Sequence, residues 1–259
     1  MLIVLLLSIF LSACVSTEYN VTTHREDIMF YSADREVAMG QSVAKQVAQY
    51  YKISQNPFYV GRVKEMGAKI AEVCDRQEIS YYFYVLERKE DDTDTEPLIN
   101  AFALPGGYVY IFKDLMDLLD TEDELAFILA HEVGHVVARH SIKKLQAIMG
   151  YNLVAAAATQ VKTGPGFQEG LSLAMLQILS AYSQEDEFDA DELAVQYLTR
   201  LGYDPLSGIA VMEKLYEANK KQPRRPLMYF RTHPYAAQRI GNIKKQLGMP
   251  LDISDYMNK

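Results

Sequence analysis

The stretch "ILAHEVGHVVARH", residues 128–140, sets three histidines and a glutamate in an otherwise apolar run. On an α-helix, residues i and i+4 share a face, with Cβ atoms about 5–6 Å apart. His131 and His135 have that spacing, so both imidazoles can reach one cation. Glu132 is rotated about 100° from His131 and stands beside such a cation without pointing at it. There it could take a proton from metal-bound water, which is why H-E-x-x-H suits a zinc hydrolase. The same stripe carries Gly134 and Ala138, small enough to let a second helix approach. His140 falls on the opposite side of the wheel and reads as a surface or helix-end histidine, not a ligand of the same ion. Taken alone, the motif also fits a core helix whose histidines are satisfied internally.

The elements that must position these residues follow from pattern and punctuation. Residues 32–51 read as a helix with Ser32 as N-cap. A second helix covers about 57–76, with Val63, Met66, Ile70 and Val73 on one face and Cys74 as a buried structural thiol. "ISYYFYVLER" (79–88) is β-branched and aromatic, hence a strand, and "KEDDTDTEP" is an acidic surface loop. "LINAFALPGGYVYIF" reads as two strands around Pro105-Gly106-Gly107. A helix holding the His-Glu motif begins in a capping box of Thr121 and Glu124. Residues 145–161 and 170–182 read as buried core helices, too short or too interrupted to span a membrane. Another helix, 183–201, stops at Gly202. Asp204-Pro205 starts the next as cap and first-turn proline, and a last one follows Pro234. The fold class is α+β: mainly helical, with a small sheet beside the motif helix.

The chain has 259 residues, 49% hydrophobic, with a formal charge of −8. That supports a substantial core, and with no basic stripe it argues against a nucleic-acid partner. "MLIVLLLSIFLSAC" is the length of a signal-peptide apolar region. "LSAC" resembles a bacterial lipobox, although no Lys or Arg precedes the apolar run. The expectation is a signal peptide over 1–13, a lipidated Cys14 opening a polar tether over 14–31, and one catalytic domain over 32–259. Val15 after Cys14, in place of aspartate, favours the outer membrane of a Gram-negative host by resemblance to known sorting rules. Cys74 then has no intrachain disulfide partner.

"AHEVGHVVARH" resembles the zinc helix of the metallopeptidase family that contains the CAAX prenyl protease, the HtpX heat-shock protease, the mitochondrial Oma-type protease and the periplasmic beta-barrel assembly-enhancing protease. Three further stretches match in the family's order: "NAFALPGGYVYIF", "YSQEDEFDADELAV" and "THPYAAQRI". The resemblance covers about residues 32–247. It implies a zincin-like fold and one Zn²⁺ held by His131, His135 and Glu187, with Glu132 as general base. It also implies Asp191 as brace for a histidine ring N–H, and Asn100, Ala101 and Phe102 as a strand edge to which an extended substrate adds. His233, by family position, either stabilises the oxyanion or occupies the water site and holds the enzyme off; capping before Pro234 is its plainer reading. Gln184 stands where the family often has arginine. Neither a tetratricopeptide array nor the spans of the prenyl-protease branch is expected in this chain.

Helix geometry sorts the six acids of 185–192 in the same sense. With Glu187 at zero, Ala190, Asp191, Ala194, Leu198 and Leu201 fall within about 60° of it, a buried stripe. Glu185, Asp189 and Glu192 fall on a solvated face. Ala190 and Ala194 match Gly134 and Ala138, so the two helices can close on one ion. Two functions remain in view. One is a zinc endopeptidase of the cell envelope acting on misfolded or unassembled proteins. The other is a chaperone-like or latent envelope lipoprotein whose zinc site His233 closes.

Overall fold

The computed structural model describes residues 16–94, 96–148, 180–221 and 227–251. The leader over 1–13, Cys14 and most of the two apolar helices expected over 145–161 and 170–182 lie outside the described residues. Among the described residues no helix is long and apolar enough to cross a membrane.

The polar stretch read as a tether is instead a hairpin, β1 (Ser16–Asn20) against β2 (Arg25–Met29), antiparallel. Its turn is built by Asn20. The Asn20 Oδ1 accepts from the Thr22 and Thr23 amides at 3.0 and 3.2 Å, and its Nδ2 donates to Asp27 at 2.9 Å. A short polar side chain closing its own turn offsets the low hydrophobicity that made the segment look patternless. Glu18 pairs with Arg139 at 3.1 Å and Asp27 with Lys143, which fastens the hairpin to the end of the motif helix.

The main sheet has four strands in the order β3-β4-β6-β5: β3 (Lys52–Ile53), β4 (Tyr82–Glu87), β5 (Ala101–Leu104) and β6 (Tyr108–Phe112). β5 and β6 form the expected hairpin, while β4 lies parallel to β6, so β5 is an edge strand. Side chains alternate across the sheet. Val43, Val47, Leu86, Phe102, Leu104, Tyr110 and Phe112 gather on one face, beneath helix α1 (Ala33–Tyr50). Phe83, Val85, Ala101, Ala103, Val109 and Ile111 join the larger core on the other.

That larger core holds α2 (Pro57–Val73) and α4 (Glu122–Val137), the latter reached through the short α3 (Lys113–Met116). Asn56 caps α2 by accepting from the Phe58 amide at 3.0 Å, and Pro57 occupies its first turn. Thr121 caps α4 as expected, but Glu124 turns back to the Asp120 amide, so only half the box closes. Every residue of α4 from Glu124 to Val137 is buried, as befits a helix packed on α2, on β5 and on two later helices. Those are α5 (Gln184–Leu201) and α6 (Ser207–Lys220), followed by α7 (Met228–Thr232) and α8 (Ala236–Gln246). Helix α6 begins two residues after the expected Asp204-Pro205 start, because Asp204 closes a tight turn onto the Leu206 amide.

One break matters for the site. The wheel placement of His140 assumes that the motif helix runs on past residue 140. The helix ends at Val137, Arg139 takes a left-handed φ of 57°, and helix resumes over 140–148. The strained arginine is over-determined by its partners, which is how such a conformation persists. Its Nε donates to buried Glu36 at 2.8 Å and its Nη2 to the Tyr31 carbonyl at 2.9 Å. Glu36 also takes Arg76 at 2.8 Å and the Gly106 amide of the Pro-Gly-Gly turn at 3.2 Å, so one carboxylate ties helix end to turn.

Candidate metal centre

Helices α4 and α5 meet at small residues. A Cβ on Gly134 would stand 2.9 Å from the Ala190 carbonyl oxygen, so only glycine permits this approach. Helix α5 starts in a full capping box, with Ser183 and Asp186 bonded reciprocally to each other's amides at 3.1 Å. Its fourth residue is Glu187, held where a carboxylate also suits the helix N-terminus. The close contact brings Glu187 to the two histidines of α4.

His131, His135, Glu187 and His233 each offer one ligand atom, and these atoms lie within 4.8 Å of one another. The spacings are tight. His131 Nε2 is 3.1 Å from His135 Nε2 and 3.4 Å from His233 Nδ1. Glu187 Oε2 lies 3.5 Å from His131 Nε2, and its Oε1 lies 3.5 Å from His135 Nε2 and 3.1 Å from His233 Nδ1. Four ligands about 2.0–2.1 Å from a tetrahedral zinc stand about 3.4 Å apart. The donor set therefore fits zinc, with His233 at the fourth corner.

The charges fit as well. Glu132, Glu187 and Asp191 are all fully buried, and the guanidinium of Arg239 is the cation buried among them. Its Nη1 meets Glu187 at 2.9 Å, and its Nε and Nη2 grip Asp191 at 2.8 and 2.7 Å. The three acids outnumber the one guanidinium, so a dication that displaces the protons of His131 and Glu132 would leave the cluster neutral in a medium where unpaired charge is costly. Among the described residues neither oxygen of Glu132 has a hydrogen-bond partner. Burial drives that carboxyl above its ordinary range, against the pull of His233 and His131. Burial would raise Glu187 too, but His233 and Arg239 outweigh it and hold the group well below the usual carboxylate range. His135 is pushed well below its ordinary value by burial and so stays neutral, as a ligand must be.

The outer nitrogens are also held. His131 Nδ1 donates to Asp191 at 2.9 Å, which turns its Nε2 lone pair inward. His233 Nε2 donates to the Ala101 carbonyl at 3.3 Å, which turns its Nδ1 inward. Helix α7 aims this ring: the Tyr229 amide bonds Ile99 at 3.0 Å and Thr232 reaches the Asn100 side chain at 3.2 Å. The His135 ring is stacked by Tyr182, centroids 3.9 Å apart, and its Nδ1 lies 2.8 Å from His140 Nδ1.

Several expectations change. His140 is 2% exposed, not a surface residue, because the break at Arg139 swings it back toward His135. Asp189 is half-buried and faces His140 instead of open solvent. Of the substrate strand, only Ala101 presents a group to the cluster. Asn100 accepts from the Phe112 amide and holds Thr232, and by antiparallel alternation Phe102 bonds β6 while its side chain lies on the α1 face. The free edge belongs to Ala101 and Ala103. The sequence places Arg239 in the matching stretch "THPYAAQRI" without assigning it a role, although one arginine at i, i+4 spacing from buried Ile243 on a short helix is a usable signal. Gln184 leaves no cationic gap at Glu187, since Arg239 supplies the guanidinium from α8.

Comparison with known proteins agrees with this geometry. The family model "Peptidase family M48" matches residues 59–247. The beta-barrel assembly-enhancing protease of Yersinia pestis is 26% identical over 226 residues, 83% of this chain and 44% of that protein. The mitochondrial metalloendopeptidase OMA1 of Schizosaccharomyces pombe is 29% identical over 238 residues, 89% of this chain and 66% of the relative. The metalloprotease LoiP of Escherichia coli is 28% identical over 198 residues, 74% and 72% of the two chains. The chain thus spans less than half the length of the assembly-enhancing protease and just under two thirds of OMA1. With its family match across most of the sequence, the chain belongs to peptidase family M48 and is a zinc-dependent metalloprotease.

Proposed function

We propose that this metalloprotease is an endopeptidase of the bacterial cell envelope that cleaves misfolded or unassembled proteins, with His131, His135 and Glu187 holding the zinc. The observation that carries the proposal is the buried Glu132 carboxylate, without a hydrogen-bond partner among the described residues and on the helix that carries both histidines. Zinc held there would polarise a scissile carbonyl and acidify water. Glu132, with its raised affinity for a proton, accepts one from the attacking water and passes it to the leaving amine. Asp191 keeps His131 in the tautomer that faces the metal. The outward main-chain groups of Ala101 and Ala103 take an extended substrate as an added strand. The apolar leader ending at Cys14, and the likeness to proteases named for beta-barrel assembly, support an envelope location with a lipid anchor on Cys14.

A latent state of the same enzyme is favoured by one observation. His233 fills the fourth corner and bonds the Ala101 carbonyl at the same time. Water and substrate strand therefore compete with one side chain, and moving α7 frees both positions together.

Cleavage of casein by the purified full chain, with and without chelator, tests the activity. Glu132→Gln should retain zinc and lose turnover by about 10²–10⁴-fold. Near-normal turnover in that variant with full metal content would overturn the mechanism. His233→Ala should keep zinc and raise turnover if His233 blocks the site; a fall in turnover would assign it to catalysis instead.

A further inference from the structure

We propose that His140 is the positioning residue for His135, accepting its Nδ1 proton and so fixing the tautomer whose Nε2 faces the metal. This rests on the zinc site proposed above.

Two imidazole nitrogens 2.8 Å apart share one proton between them. His135 Nε2 is the inward atom, 3.1 Å from His131 Nε2, and a neutral ligand with a lone pair there carries its proton on Nδ1. His140 Nδ1 is then the acceptor, and the His140 proton sits on Nε2. That atom has no hydrogen-bond partner among the described residues, but it faces two carboxylates of α5, Asp186 at 3.5 Å and Asp189 at 3.8 Å, whose charge favours a proton in that place. The polarity is consistent along the whole line, from the carboxylates through His140 to His135. It parallels the other side of the site, where Asp191 performs the same service for His131 directly.

The arrangement depends on the backbone break. A helix continued from Val137 would carry residue 140 round to the far side of α4. The left-handed Arg139, pinned by Glu36, returns the ring to His135. Tyr182 completes the clamp by stacking on His135 and bonding Ser141 at 2.9 Å, so His135 has little freedom other than the tautomer that His140 decides.

The test compares His140→Leu with His140→Asn in the full chain. The Asn carbonyl stands close to where Nδ1 stood and can accept the same proton; the Leu side chain cannot. Zinc affinity, measured by competition with a chromophoric chelator, should fall about 10–100-fold in His140→Leu and recover most of that loss in His140→Asn. The cobalt(II) absorption spectrum should shift in the Leu variant and return in the Asn variant. Equal affinity in all three proteins, or equal weakening in both variants, would overturn the proposal. Should His140→Leu fail to fold, Asp186→Asn combined with Asp189→Asn leaves the ring in place, keeps an oxygen at residue 186 for the Ser183 amide of the capping box, and removes the charge that orients His140. Weaker zinc binding is expected from that double variant, and unchanged binding would count against His140. Zinc binding by the unaltered chain tests the metal site itself; only the differences between variants test His140.

Discussion

Gly134 and Ala190 touch so closely that the missing Cβ is what lets the helix of His131 and His135 close on the helix of Glu187. A methyl group on Gly134 would stand 2.9 Å from the Ala190 carbonyl oxygen and 3.0 Å from its Cα, both backbone atoms. Backbone cannot swing aside as a side-chain tip can, so α4 and α5 must separate.

Gly134→Ala should therefore destabilise the fold by about 1–3 kcal/mol, the usual cost of overpacking a tight core. It should also weaken zinc binding, since Glu187 rides on α5 and the histidines on α4. Urea denaturation and chelator competition read the two effects. An Ala variant as stable as the parent, with unaltered zinc affinity, would show that the close approach does not position the ligands.

What the sequence revealed divides along one physical line. Periodicity within a single unbroken helix was legible: His131 with His135, and Glu187 with Asp191, follow from 3.6 residues per turn. The caps at Ser32 and Thr121 were legible too, because a cap needs only its neighbours. His140 was misplaced because the wheel assumes that a helix continues, and the left-handed turn at Arg139 is imposed from 103 residues away by Glu36. The hairpin at 16–29 lacked an apolar alternation and is held by ion pairs to residues 139 and 143. Parallel pairing of β4 with β6 and the reach of Arg239 are likewise decisions of tertiary packing, which no local pattern encodes.

Arg239 carries a second prediction. It is fully buried with both Asp191 and Glu187, so removing it strands two carboxylates away from water. Breaking such a pair by deleting one partner costs about 3–5 kcal/mol. Arg239→Met should approach the limit of what a domain of ordinary stability survives. Arg239→Lys should fare better while losing the two-pronged grip on Asp191. Denaturation in excess chelator ranks the three proteins; a Met variant within about 1 kcal/mol of the parent would mean that the guanidinium does not balance these acids.

The last prediction concerns protons. In the zinc-free protein, burial and Arg239 both press His131 downward. Hydrogen bonds to Asp191 and Glu187 more than reverse this and lift it to about 9. The sign follows from comparison with the unfolded chain, where histidine titrates near 6.5. A folded value above the unfolded one contributes stability that is complete below about pH 6.5 and is lost as pH rises through about 9. The zinc-free fold should therefore lose this contribution across that window. Zinc needs the lone pair on Nε2 and must displace the proton to get it. Uptake at pH 7.5 should release at least one proton, and Glu132, whose carboxyl burial also raises, adds to the release if it was protonated. Affinity should climb by up to about tenfold per pH unit until His131 has titrated. Calorimetry of zinc binding in two buffers of different ionisation enthalpy measures the protons directly. Asp191→Asn removes the strongest acceptor on His131, so that variant should release fewer protons as well as bind zinc less tightly. Zinc uptake at pH 7.5 with no net proton release would show that His131 is already neutral, and that the buried carboxylates do not hold a proton on it.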